Sequence, residues 1–129
     1  MKKLVWILLS IFFACRNDKP MQTFVSSTGL YKFSTEINQD KTDPTKYLCV
    51  QLNLFNKEGN KLFSLQTKVS DNMKWAIGWY PKCDTIVLNS KDVGVYAWRI
   101  GEDKKQLEEI TISPEINTIA DSIFKNKYQ

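Results

Sequence analysis

The chain contains no histidine. The usual proton-shuttling partner of a serine or cysteine nucleophile is therefore missing, and no glycine-rich phosphate loop or dinucleotide fingerprint takes its place. Acid and base chemistry would fall to carboxylates. A glycosidase needs two of them about 5 to 9.5 Å apart, and Asp71, Asp84, Asp92, Glu108 and Glu109 are the candidates. Asp71, Asp84 and Asp92 fall in stretches that read as turns, where aspartate is favoured because its side chain bonds to nearby backbone. The expectation is a protein that is not an enzyme, with no catalytic residue assigned. Cys49 and Cys83, widely separated and without histidine, do not make a zinc ligand set, so neither metal nor cofactor is expected.

Aromatic residues are the better candidates for recognition. The stretch "MKWAIGWYPKCDTIVLNSKDVGVYAW", residues 73 to 98, concentrates Trp75, Trp79, Tyr80, Tyr96 and Trp98. Aromatic faces stack on sugars and are enriched at protein-binding hot spots, although they also fill cores. Trp75 and Trp79 share a strand phase with Met73 and Ile77 and are expected inside. Tyr96 and Trp98 are opposite in phase to Val93, Val95 and Ala97, so one of those two sets is expected to face solvent. Trp98 and Tyr96, then Tyr80, are the expected ligand-binding aromatics.

The start of the chain has a different character. Met1, Lys2 and Lys3 precede an uncharged run from Leu4 to Ala14. At roughly 1.5 Å per helical residue such a run reaches ~16 Å, about half of the ~30 Å hydrocarbon core. It fits the apolar region of a secretory signal. Cys15 follows at once, and the arrangement Phe12-Phe13-Ala14-Cys15 resembles the lipobox of bacterial lipoproteins. That resemblance covers residues 1 to 15. It implies cleavage of residues 1–14 as a signal peptide, a diacylglyceryl group on the Cys15 thiol and acylation, as with palmitate, of the new amino terminus. It also implies residence in the cell envelope as a membrane-anchored protein. An aspartate after the cysteine resembles an inner-membrane retention signal; Arg16 stands there instead, which favours the outer membrane. Covalent lipid is the only attached group expected, and two acyl chains hold a protein durably on a bilayer.

The net charge of +4 includes Lys2 and Lys3; without them 16 basic side chains face 14 acidic ones. This balance points to no nucleic-acid partner, and mixed runs such as "GEDKKQLEE" at 101 to 109 read as a solvated loop or face. With Cys15 assigned to lipid, Cys49 and Cys83 are an even pair in an oxidising space, either bridged or left as two free thiols.

The elements that must position these residues are mostly strands. Residues 15–23 form the lipidated cysteine and a polar tether containing Pro20, and 24–129 form one strand-rich domain. Strand-like segments lie at about 29–38, 47–55, 61–69, 73–80, 84–89, 93–100 and 106–112, separated by turn residues. In "YLCVQLNLF", Leu48, Val50, Leu52 and Leu54 share one face. In the next segment Phe63, Leu65 and Val69 line up. Ser113 and Pro114 then open a helix over about 114–127, on which Ile116, Ile119, Ala120, Ile123 and Phe124 form one apolar stripe. The expected fold class is mainly β (α+β): about six to seven antiparallel strands in a meander, as a sheet or partly open barrel, with one C-terminal amphipathic helix packed on it. The expected function is an envelope-anchored binding or structural module for a protein or an envelope glycan. An inhibitor or immunity lipoprotein that blocks a hydrolase or toxin is the alternative.

Overall fold

The computed structural model describes residues 22–103 and 106–129. The leader, Cys15 and the tether up to residue 21 lie outside the described residues. Eight strands and one helix follow: β1 (Thr23–Val25), β2 (Tyr31–Ile37), β3 (Cys49–Asn56), β4 (Lys61–Ser70), β5 (Trp75–Trp79), β6 (Thr85–Ser90), β7 (Gly94–Ile100), β8 (Leu107–Glu109) and α1 (Pro114–Tyr128). Each described strand pairing is antiparallel. The protein is thus mainly antiparallel β with a C-terminal helix packed on a sheet. Among the described residues there is no closed barrel; the strands divide into one sheet ordered β1-β2-β3-β4 and a second ordered β5-β6-β7-β8.

The division falls at Asp71-Asn72-Met73-Lys74. Ser70 O accepts from Met73 N, Asp71 N donates to Leu48 O, and the Asp71 carboxylate accepts from Trp75 Nε1 at 2.9 Å. These bonds turn the chain out of the first sheet, so β5 starts at Trp75 and Met73 is left exposed. Leu48 also departs from the expected strand phase. Its φ of 61° lies in the left-handed region, and β3 begins one residue later. The strand β1, three residues long, is too brief to show periodicity and takes its first residue from the expected tether.

The two sheets face each other across one core. Phe33, Val50, Leu52, Leu54 and Val69 from the first meet Ile77, Ile86, Leu88 and Trp98 from the second. Alternation supplies this, because side chains two apart share a sheet face, and each fully buried aliphatic contributes about 1.5–3 kcal/mol. The second sheet is covered on its other face too. There Val87 and Ala97 pack on Ile116 and Ala120 of α1, with Val95, Ile119 and Ile123 around them. This explains why β6 reads Thr-Ile-Val-Leu with all four residues buried.

The helix is fixed along its whole length. Ser113 Oγ accepts from Ile116 N at 3.2 Å, capping an otherwise unsatisfied amide. Midway, Asn89 Nδ2 donates to Ala120 O, and the bare backbone of Gly78 admits Ile123, whose Cδ1 lies 3.2 Å from where a Cβ would stand. At its end, Tyr128 Oη bonds both the N–H and the carbonyl of Trp75, while Lys127 Nζ lies 4.2 Å from the centre of the Trp75 ring. Among the described residues, no helix is long and apolar enough to cross a membrane.

Candidate functional site

The two sheets meet tightly along one side and part along the other. On the closed side the edge strands β1 and β5 are joined by Trp79 Nε1, which donates to Phe24 O at 2.9 Å. Phe33 stacks on Phe24 with centroids 4.7 Å apart and meets the Trp79 ring at 5.2 Å. On the opposite side the edges are β4 and β8. Between them lies a cleft of about 330 Å³, walled by Leu65, Gln66, Thr67 and Lys68 of β4, floored by Tyr96 and Trp98, and bounded by Glu109.

Each wall is held by local bonding. A register shift between Cys49 and Gln51 bulges β4 against β3. Thr67 Oγ1 donates to Val50 O at 2.6 Å and accepts from Val69 N. Gln66 Nε2 donates to Val50 O and Thr67 O, and its Oε1 accepts from Asn38 Nδ2 at 2.8 Å. The amide and hydroxyl therefore satisfy the bulge instead of swinging freely. On the floor, Tyr96 and Trp98, two apart on one strand face, stack with centroids 5.8 Å apart and rings within 8° of parallel. Lys68 and Glu109 are exposed on opposite walls and make no ion pair among the described residues.

The expected aromatics divide. Tyr96 and Trp98 both reach the cleft, although Trp98 is only 5% exposed and Tyr96 is half-buried. The expectation that either their set or the valine set faces solvent is corrected: the first sheet covers one and α1 covers Val95 and Ala97. Only Val93, in the turn, is exposed. Tyr80 is no surface platform. It is buried at the end of β5, and its hydroxyl bonds the Glu115 carboxylate, which pushes the phenol pKa up to about 12. The same bond, followed by Lys82 at 3.4 Å, holds Glu115 below the ordinary carboxylate range. Tyr80 thus ties the sheet to the start of the helix.

The possible Cys49–Cys83 disulfide is also corrected. Both thiols are free. Cys83 shares a hollow with Tyr31, which pairs with Asn56 at the last position of β3, whereas Cys49 is the first residue of that strand. An eight-residue strand spans about 23 Å at ~3.3 Å per residue, and a bridge needs Cα atoms within about 7 Å. Burial pushes the Cys49 thiol pKa up, with Asp92 adding to it.

The candidate carboxylates are dispersed. Asp71 holds Trp75, Asp84 accepts from Thr28 Oγ1 at 2.9 Å, and Glu108 pairs with Arg99 at 3.1 Å. Asp92 sits in the β6–β7 turn, where its N–H bonds Ser90 Oγ. Of the five, Glu109 alone lines the cleft. No group of three or more metal-ligating side chains occurs among the described residues.

Sequence reasoning missed the β4 wall. Its trace is Thr67, a polar residue at a position where the Phe63, Leu65, Val69 phase calls for an apolar one, and this marks the bulge. No family model matches the chain, and neither a curated protein nor a solved structure matches it.

Proposed function

We propose that this chain is an envelope-anchored lipoprotein whose domain works as a non-catalytic binding module, with its ligand seated in the cleft between β4 and β7–β8. The anchor rests on Phe12-Phe13-Ala14-Cys15, and Arg16 favours the outer membrane. The observation that carries the binding role is the cleft itself. Two stacked rings lie between two exposed charges of opposite sign, Lys68 and Glu109, where the β4 and β8 edges part. An aromatic floor between walls that carry Gln66, Thr67, Lys68 and Glu109 combines apolar contact with polar groups that can fix a ligand's orientation.

Fatty-acid labelling of cells tests the anchor. Wild-type protein takes up label and partitions with membranes, and Cys15→Ser does neither; an unmodified Cys15 thiol in the native product overturns it. Titration of the protein with envelope extracts, read by tryptophan fluorescence, tests the cleft: a response that Tyr96→Ala abolishes supports it, and an unchanged response in that variant removes it. Tight capture of a single hydrolase or toxin would select the inhibitor form of the same role.

A further inference from the structure

We infer that the cleft accepts an extended polypeptide segment, which adds as a strand to the edge of β4 and places an apolar side chain on Tyr96 and Trp98. This deepens the cleft reading and rests on it. The backbone is the first reason. β4 is ten residues long, and among the described residues no strand lies beyond it. β8 pairs with Trp98, Arg99 and Ile100, and Ile110 N adds one bond to Ala97 O, so among the described residues only Gly94–Tyr96 of β7 have no paired strand on that side. A strand edge presents alternating amide and carbonyl groups that another extended chain satisfies directly; on β4 the Thr67 carbonyl and the Val69 amide are already bonded within the bulge, so the added strand stops short of them.

The rings supply the second reason. A sugar stacks on a ring face open to solvent, but the Trp98 ring is almost wholly covered and Tyr96 is half-buried. What remains is a gap of about 330 Å³ bordered by Tyr96 and Trp98, sized for inserted side chains. On a strand added to β4, successive side chains alternate between the core-facing and outer sides. A residue directed onto Tyr96 and Trp98 then has neighbours on the outer side, where Lys68 is exposed. The matching segment carries an acidic residue next to the apolar one. Glu109 on the far wall disfavours a second acid there.

The test pans a displayed library of linear peptides against the full chain, then follows amide hydrogen exchange and resonance shifts with the selected peptides. Peptidoglycan oligosaccharides serve as a second probe. The expected result is peptides with an apolar residue beside an acidic one, slowed exchange of β4 amides, and weakening by about tenfold or more in both Tyr96→Ala and Lys68→Glu. Lys68→Glu alters an exposed side chain and leaves the fold intact. Peptides that bind without protecting β4 overturn the strand addition. Oligosaccharides that shift Tyr96 and compete at the cleft overturn the polypeptide class and leave the cleft reading standing. A concentration-dependent dimer with protected β4 overturns it in favour of self-pairing. If neither probe moves Tyr96, Lys68 or Glu109, the inference and the cleft reading fall together.

Discussion

The two sides of the sandwich are built from the same kinds of residue to opposite effect. At the β1–β5 side, Phe24, Phe33 and Trp79 interlock, and the one indole N–H finds a backbone carbonyl across the sheets. At the β4–β8 side, Tyr96 and Trp98 stack along their own strand, and although Phe63 of β4 packs in the same core, no ring pair joins it to them among the described residues. Rings that engage both sheets tie them together, with a hollow of about 360 Å³ beside them between β1, β5 and α1. Rings that engage each other floor a cleft instead.

This contrast is best broken by substitution, taken from the largest expected effect to the smallest. Phe33→Ala empties a fully buried site at the closed side and is expected to cost about 3–5 kcal/mol, measured by denaturant unfolding. Tyr96→Ala at the open side is expected to cost less than about 2 kcal/mol, because its ring is only partly enclosed. Equal losses at the two positions would mean that the open side is as tightly packed as the closed one.

Thr67→Val sharpens the picture of the open wall. It removes the hydroxyl bonds that support the bulge, and about 1 kcal/mol should be lost. Val50 O keeps its bond from Gln66, so the sheet persists, and exchange of the Val69 amide should speed up.

The smallest effect is electrostatic and lies at the end of β5. Glu115 has its folded-state pKa lowered from 4.5 by the Tyr80 hydroxyl and then by Lys82. A depressed carboxylate contributes stability that is present above its unfolded value and disappears as pH falls through the folded one. An acid titration of unfolding should therefore show a slightly shallower slope below about pH 4.5 in Glu115→Gln than in wild type. Because this pair is exposed, the difference stays small. The midpoint of binding in the cleft should not move with it.

Much of the fold was legible in the order of residues. Alternation of Val50, Leu52 and Leu54, or of Ile86 and Leu88, states which face of a strand is apolar, and Ser113-Pro114 followed by the Ile116, Ala120, Ile123 spacing states where a helix begins and which side it buries. The site was legible in half. Tyr96 and Trp98 were recognisable as a pair on one strand face, yet their phase says nothing about what lies opposite. Tyr80 shows the same limit. It stood third among the expected ligand-binding aromatics, and its hydroxyl instead bonds Glu115, 35 positions away. The separation of Cys49 from Cys83 likewise depends on which end of β3 each one reaches.

Sequence by itself determined the strand-rich class, the capped C-terminal helix and the faces that must leave water, because these follow from local period and from hydrogen bonds between near neighbours. Only the tertiary structure decided that the meander breaks into two sheets at residues 71–74, that Trp79 ties β5 to β1 on one side while a cleft opens beside β4 on the other, and that Lys68 and Glu109 come to flank Tyr96 and Trp98. Those outcomes depend on how two apolar sheet faces settle against each other, and packing between distant segments leaves no periodic mark in either one.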